Sequence, residues 1–115
     1  MSDLLETIDE LRFAWSAATS ELPARWSPER PSTGQCCVTA MILRAIYGGE
    51  LVRATASTGD VHYWNLIDGV TVDATRDQFP EDTTFQDVVV HPDPALYLND
   101  DLVTKVVMLM ARAAL

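Results

Sequence analysis

The chain has 115 residues, enough for one ordinary domain with a hydrophobic core of its own. Its 8 basic and 17 acidic residues give a formal charge of -9, which repels nucleic-acid phosphate and anionic membrane surfaces. An apolar fraction of 48%, with three Trp, three Tyr and three Phe, excludes a disordered chain. We therefore predict a single folded domain over residues 1–115 with no nucleic-acid partner.

The N-terminus and the cysteine content indicate where the protein works. The segment MSDLLETIDEL lacks the basic and apolar regions of a secretion signal, and no 18 apolar residues run together. We expect a cytoplasmic protein that does not bind membranes. Its two cysteines, Cys36 and Cys37, are adjacent and cannot close a loop that would restrain the fold. At least one thiol therefore needs an explanation other than crosslinking.

The first part of the chain is predicted to form a helix, a long loop and a second helix. Apolar residues recur at helical spacing from Ser2 onward: Leu4, Ile8, Leu11, Trp15 and Ala18. Residues 19–34 contain three prolines and read as a loop, and a loop this long in a small domain is usually functional. The second helix begins at or beside Cys36 and ends at Gly48-Gly49.

Three strands are predicted after the second helix. The runs from Glu50 to Ala56 and from Val61 to Ile67 are rich in β-forming residues and are separated by the turn-like residues 57–60. Asp68-Gly69 predicts a two-residue hairpin turn, because both central positions of such a turn need a positive φ. The third strand then runs from Val70 to about Ala74.

The C-terminal part is predicted to add a strand and a helix. Phe85 to Val90 forms the fourth strand, which Pro92 and Pro94 end. Asn99 caps a last helix over Asp101 to Ala113. That helix has a broad apolar face expected to be buried: Leu102, Val103, Val106, Val107, Leu109 and Met110.

Cys36 is a candidate nucleophile because of its place at the start of a helix. Unpaired N–H groups and the helix dipole favour a thiolate there and are expected to lower the pKa of the thiol. Taken alone the position is weak evidence, since cysteines are often buried as small hydrophobic residues.

The hairpin register adds a base and an orienting group. A two-residue turn at Asp68-Gly69 pairs Trp64 with Asp73 and His62 with Thr75, so these four residues share one face of the sheet. The Asp73 carboxylate can then accept a hydrogen bond from one imidazole nitrogen of His62 and leave the other to take the thiol proton. We expect the helix to pack its N-terminus against this His62 face and bring Cys36 to the pair.

Three short motifs, in the right order, resemble those of transglutaminases. Gly34-Gln35-Cys36 is similar to their nucleophile motif, His62-Tyr63-Trp64-Asn65 to their His-x-Trp-Asn segment, and Asp73-Ala74-Thr75 to their Asp-Ala-Thr segment. Cys37 stands where the larger transglutaminases have Trp, and the chain lacks their additional domains and calcium loops, so calcium activation is not implied.

The chain from about residue 15 to 80 more closely resembles the small bacterial YunG family. Besides those motifs, the likeness rests on Trp15, Thr19-Ser20, Pro31, Thr39-Ala40, Gly48-Gly49, Asp68-Gly69 and Gln78-Phe79. It implies an α+β fold, a compact papain-like or transglutaminase-like domain. In that fold the Cys-bearing central helix packs on an antiparallel sheet of three to four strands, flanked by N- and C-terminal helices. Cys36, His62 and Asp73 take the triad positions.

Four more residues are candidates for supporting the site. Gln35 is either an oxyanion donor, beside the Cys36 backbone N–H and a group from residues 19–34, or a helix-start residue. Asn65 is an alternative orienter of His62, but the register places it on the opposite face. Trp64 lines an acyl-substrate cleft or belongs to the core, and Thr75 shares the His62 face.

Three functional hypotheses follow. The first is a hydrolase or acyltransferase, of the peptidase, deamidase or transglutaminase type. It attacks an amide or thioester of a small-molecule or peptide substrate through a Cys36 acyl-enzyme, without a cofactor. The second is a metal site of Cys36, Cys37, His62 and Asp73, which the vicinal cysteines disfavour. The third is a non-catalytic module that binds a peptide or protein through its acidic half. The sequence predicts no oligomeric state.

Overall fold

A computed structural model describes residues 2–91 and 99–115. Over these residues the fold is α+β, with three α-helices and one four-stranded antiparallel sheet. The helices are α1 (Ser2–Ala14), α2 (Cys36–Tyr47) and α3 (Asp100–Arg112). The strands are β1 (Glu50–Ala56), β2 (Val61–Ile67), β3 (Val70–Val72) and β4 (Phe85–His91). Short 3-10 helices cover Ala17–Thr19 and Arg76–Gln78.

The hairpin between β2 and β3 has the predicted turn and register. Asp68 has a φ of 51° and Gly69 a φ of 75°, the left-handed pair that a two-residue turn needs. Ile67 pairs with Val70 and Asn65 with Val72. The strand order is β3-β2-β1-β4, so β3 and β4 are the edges. Because the β2–β3 ladder ends at Asn65, the edge of β2 beyond that residue is uncovered by β3.

Helix α2 covers the face of the sheet opposite to His62, so the expectation that it packs on the His62 face is wrong. Asn65 donates its side-chain N–H to the backbone oxygen of Ala40, 2.9 Å away, and Ile67 lies in the core with α2. Side chains alternate between the faces of a strand, so His62 and Trp64 point away from the helix. The core on the helix side includes Leu11, Val38, Ile42, Leu43, Leu51, Leu102 and Leu109.

Aromatic residues cover the His62 face in place of a helix. Phe79, just after the second 3-10 helix, and Phe85, at the start of β4, pack on His62 with ring centroids 4.8 and 5.3 Å away. Trp64 lies 5.5 Å from His62 and from Phe85. These rings leave the imidazole with no exposed surface. The sequence did not predict this cover, because Phe79 and Phe85 come from outside the hairpin.

Several element boundaries and burials differ from the sequence expectations. Helix α1 ends at Ala14, so Trp15 follows the helix and donates its indole N–H to Thr39 on α2. Strand β3 ends at Val72, before the expected Ala74. The buried face of α3 is narrower than the broad face expected from the sequence, because Val103 is 43% and Val107 61% exposed.

The sequence also predicted a cap for α3 and breaks in the chain at two prolines. Asn99 caps α3 as predicted, by accepting a hydrogen bond from the Leu102 N–H at 2.9 Å. The proposed breaks at Pro92 and Pro94 lie outside the described residues. Among the described helices, none has the length and apolar content needed to cross a bilayer.

Candidate active site

His62 is held at both ring nitrogens. Its Nε2 lies 2.7 Å from Asp73 Oδ2, and its Nδ1 lies 3.2 Å from the side-chain nitrogen of Gln78. An amide nitrogen can only donate, so Nδ1 is the acceptor and Nε2 carries the proton that Asp73 receives. This is the orienting pair that the hairpin register predicts.

Asp73 is fixed in turn by its own neighbours. Its second oxygen, Oδ1, accepts a hydrogen bond from the Thr75 N–H at 3.3 Å, and its side chain is 17% exposed. The short chain segment that leaves β3 therefore supplies both the carboxylate and a donor that orients it. A carboxylate with hydrogen bonds on both oxygens holds the imidazole in one tautomer and one orientation.

Cys36 begins α2, as predicted, but its thiol is protonated at neutral pH. The pKa of Cys36 is raised from 9.0 to about 11, chiefly by burial and to a smaller extent by the negative charge of Glu21. Hydrogen bonds to the sulfur from the Tyr63 backbone, the Gln78 side chain and the Cys37 backbone oppose that shift. The expected lowering of this pKa is therefore wrong, because the loss of solvent outweighs the donors at the helix start.

Gln78 joins the two halves of the site. Its side-chain nitrogen donates to His62 Nδ1 and to the Thr75 hydroxyl, each 3.2 Å away, and its oxygen accepts the Gly34 N–H at 3.3 Å. The same side chain also reaches the Cys36 sulfur, so its two N–H groups are shared among three acceptors. The sequence predicted that the thiol would contact Nδ1 of His62, but Gln78 occupies that position. Four residues therefore form one connected line of hydrogen bonds, in the order Asp73, His62, Gln78 and Cys36.

The connected line passes around the uncovered edge of β2. His62 leaves the strand on the aromatic face, while Cys36 reaches the strand from the helix face and meets the Tyr63 backbone. The 3-10 helix Arg76–Gln78 passes beside this edge and supplies the side chain that reaches both. The early end of β3 is what leaves room for that arrangement.

Hydrogen bonds join the two ends of the loop before Cys36, close to Gly34. Gly34 has a φ of 71°, and a side chain there would overlap Ser20 and the backbone of Leu22. The Ser20 hydroxyl donates to the Thr33 oxygen at 2.7 Å, and the Glu21 N–H donates to the Gly34 oxygen at 2.9 Å. These contacts fix the Gly34 N–H toward Gln78, so only glycine suits this position.

Gln35 has a structural set of partners. Its side-chain oxygen accepts the Thr19 hydroxyl at 2.8 Å, and its nitrogen donates to the Ser16 backbone oxygen at 2.9 Å. The residue is fully buried. Both ends of its amide are engaged away from Cys36, so Gln35 supports the site by tying the start of α2 to the segment after α1.

The other predicted supporting residues divide between the two faces. Asn65 lies on the helix face, as predicted, and does not contact His62. Trp64 lies on the His62 face beside Asp73, where it lines a cavity. Thr75, buried beneath Gln78, accepts its N–H and donates its own N–H to Asp73.

An open cavity leads to Cys36. It has a volume of about 330 Å³, within the range of small-ligand sites. The residues that line it are Glu21, Leu22, Gly34, Cys36, Asp60, Val61, Tyr63 and Gln78. Cys36 is 6% exposed, so only a small part of this residue is open to the cavity.

The alternative metal site has no geometric support. Over residues 2–91 and 99–115 the structure brings together no group of three or more His, Cys, Asp and Glu side chains able to hold a metal. Cys37 is buried in the core among the apolar residues of α2, and burial raises the pKa of its thiol. The two neighbouring cysteines therefore have different surroundings, and only Cys36 opens on the cavity.

Sequence reasoning gave Gln78 no part in the chemistry. It entered only through the likeness of Gln78-Phe79 to a family pattern, and no spacing rule links it to Cys36. The available signal was its place five residues after Asp73, in the segment that follows β3. The hydrogen bond of Gly34 to Gln78 was likewise beyond reach, although Gly34 lies in the loop that was expected to supply a donor.

Comparisons with known proteins give one consistent result. A family model described as "YunG protein" matches residues 3–113. A relative from Bacillus subtilis (strain 168), named "Uncharacterized protein YunG", is 35% identical over 78 residues. That match covers 68% of this chain and 64% of the relative, so the chain spans less than two thirds of that protein. No solved structure matches the chain.

Proposed function

The chain belongs to the YunG family, and from the geometry of its site we propose that it is a cysteine-dependent hydrolase or acyltransferase acting on an amide. The proposal includes a papain-like or transglutaminase-like arrangement, with Cys36 as nucleophile, His62 as base and then acid, and Asp73 as orienter. The substrate is a small molecule or peptide that enters the cavity beside Cys36.

The carboxamide of Gln78 carries this proposal. Its oxygen accepts a backbone N–H from Gly34, its nitrogen faces His62 Nδ1, and the same side chain meets the Cys36 sulfur. An amide substrate in the same place needs a donor for its oxygen and an acid for its leaving nitrogen, which Gly34 and His62 would supply. It also needs a nucleophile for its carbon, and the Cys36 sulfur, hydrogen-bonded to this carboxamide, is within reach. The site thus already holds the functional group on which it is proposed to act.

The proposed reaction begins when a substrate amide replaces the Gln78 side chain. His62 Nδ1, released from Gln78, takes the thiol proton while the Cys36 sulfur bonds to the carbonyl carbon. The carbon–nitrogen bond then breaks, and the proton on His62 passes to the departing amine or ammonia. Water or a second amine attacks the resulting thioester, giving its proton to His62, and the sulfur leaves as the thiolate and regains that proton.

The raised pKa of Cys36 fits a site that is at rest until it is occupied. A thiol with a pKa of about 11 is a poor nucleophile at neutral pH. In the proposed mechanism the thiol proton passes to the His62 imidazole, and the thiolate forms only while a substrate fills the place of Gln78. A thiol that stays protonated until a substrate binds reacts less with other electrophiles.

A matched pair of electrophiles tests the proposal. 2-Chloroacetamide has a primary carboxamide, while its N,N-dimethyl analogue has no N–H to offer His62. We measure the ratio of the two alkylation rates at Cys36 in the folded protein and divide it by the ratio in urea-denatured protein, which corrects for the intrinsic reactivity of the reagents. We expect a normalised ratio of at least ten in favour of 2-chloroacetamide. We expect His62→Ala to slow the reaction at least tenfold, and Gln78→Ala to speed it severalfold by freeing Nδ1.

The control is Cys37→Ala, since Cys37 lies in the core and should not affect these rates. Intact-mass spectrometry with peptide mapping assigns the modified cysteine. Equal rates for both reagents, together with no effect of His62→Ala, would remove the case for catalysis. Turnover is then measured as ammonia released from a glutamine-containing peptide, with Cys36→Ala as the blank.

A non-catalytic module is the second candidate, and one observation favours it. Both nitrogens of His62 are already hydrogen-bonded and its ring is wholly enclosed, as in a histidine that serves only packing. In that case residues 57–101, with ten acidic side chains against one basic, would recognise a peptide or protein. The rates of His62→Ala separate the two candidates, because a packing histidine would leave alkylation of the folded protein unchanged.

A further inference from the structure

A second cavity lies on the aromatic face of the sheet, at the Asp73 end of the imidazole. Its volume is about 340 Å³, and it is lined by Trp64, Thr71, Asp73, Arg76 and Phe85. The first cavity reaches Gln78 at Nδ1 of His62, and this one reaches Asp73 at Nε2. The buried imidazole therefore lies between two openings that share no lining residue.

The walls of this cavity specify a chemical class. Trp64 and Phe85 present two aromatic rings with centroids 5.5 Å apart and an angle of 59° between their planes. Rings in this arrangement accept a further planar ring through offset or edge contacts. The guanidinium of Arg76 lies 5.3 Å from the Phe85 ring and adds a cation that favours an aromatic neighbour.

The polar groups of the cavity favour a hydrogen-bond donor over an anion. Both terminal nitrogens of Arg76 donate to backbone oxygens, those of Phe79, Pro80, Glu81 and Thr83. They are therefore engaged, while the Asp73 carboxylate accepts one hydrogen bond on each oxygen and retains further lone pairs. A cation would meet the positive charge of Arg76, so a neutral N–H or O–H donor fits better.

We propose that this cavity binds a small planar aromatic molecule whose ring carries an N–H or O–H donor. The ring packs on Trp64 and Phe85, and its donor meets the free lone pairs of Asp73. A ligand there shares the carboxylate with His62, so it acts on the imidazole from the side away from Cys36. This site is separate from the proposed acyl chemistry, because its occupancy requires no reaction at Cys36.

Indole and 1-methylindole test the proposal as a matched pair, since they differ in the ring N–H. Each is titrated into the wild-type protein, followed by backbone amide NMR shifts. We expect indole to bind at least fivefold more tightly, with the largest shifts at residues 64, 71, 73, 76 and 85. Equal affinities, no saturable shift up to about 5 mM indole, or shifts centred elsewhere would overturn the site.

Variants on β4 give a second measurement. Phe85→Ala removes one wall and should weaken indole binding at least fivefold. Val89→Ala is the control, because Val89 pairs with Arg53 on the other face and is half exposed. If Phe85→Ala does not fold, the comparison of the two indoles on the wild-type chain decides the proposal alone. An equal effect of the two folded variants contradicts it.

Discussion

The two faces of the sheet are buried by different means. On the helix face, α2 packs apolar side chains such as Leu43 and Ile42 against Leu51 and Ile67. On the other face, three aromatic rings enclose one imidazole whose two nitrogens are both hydrogen-bonded. Polar bonds in such a dry place are stronger than in water, but each depends on its partner. The helix face is therefore held mainly by apolar packing, and the aromatic face by ring packing together with hydrogen bonds.

The largest effect should come from a cavity on the helix face. Leu43 is fully buried, and Leu43→Ala should lower the free energy of unfolding by about 2 to 5 kcal/mol. The matched change, Gln78→Ala at the edge of β2, removes hydrogen bonds of a half-buried residue, including the one to the imidazole of the aromatic face, and should cost about 0.5 to 1.5 kcal/mol. Urea unfolding followed by circular dichroism measures both values. A larger loss for Gln78→Ala would reverse the division between the faces.

The next effect is a loss of stability in alkali, which tests the burial of Cys36 between the faces. Its folded-state pKa of about 11 exceeds the ordinary 9.0, so the folded protein prefers the neutral thiol. This contribution is complete below about pH 9 and is lost as the pH rises toward 11, a change of roughly 2 to 3 kcal/mol. Cys36→Ala should have a correspondingly flatter stability profile from pH 9 to 11. An unchanged slope would mean that the sulfur is solvated.

The smallest effect should come from the ion pair that ties the Gln78 segment to α1. Arg12 contacts Asp77 at 2.8 Å, and its guanidinium lowers the pKa of that carboxyl. The stabilisation is present above the unfolded pKa of Asp77 and is lost as the pH falls through the lower folded value. Because both side chains are partly exposed, Asp77→Asn should cost less than about 1 kcal/mol. Urea unfolding at pH 7, with and without 1 M salt, measures it.

The salt comparison also separates the charge from the hydrogen bonds. If salt lowers wild-type stability to that of Asp77→Asn, the contribution is electrostatic. If Asp77→Asn instead lowers the free energy of unfolding much more than salt does, the 3-10 helix that carries Gln78 depends on the Asp77 side chain for its position.

Sequence alone predicts the parts of this molecule that local chemistry determines. Asp68-Gly69 fixes the hairpin and thereby the pairing of His62 with Asp73, because the turn admits one register. Gly48-Gly49 ends α2, and Asn99 starts α3, since each supplies a conformation or an acceptor that the helix end requires. These predictions need only the residues next to the feature concerned.

The rest depends on contacts between distant parts of the chain. Both faces of β2 carry partly apolar side chains, so the pattern of that strand does not say which face α2 covers. Phe79 and Phe85 cover the face of β2 that carries His62, which leaves the other face to α2. These two residues lie 17 and 23 positions after His62 in the sequence. The pKa of Cys36 similarly follows from how deeply the finished fold buries the sulfur, which a helix start does not reveal.

The two-residue turn also restricts how this protein can change over time. Asp68 and Gly69 are exposed but both have a positive φ, so replacing either residue strains the turn locally and leaves the strand register unchanged. Inserting or deleting one residue there instead shifts the following strand by one step, which would turn Asp73 to the helix side and leave the enclosed imidazole without its acceptor. A substitution at this corner therefore costs local strain, whereas a change of length removes the pairing of His62 with Asp73.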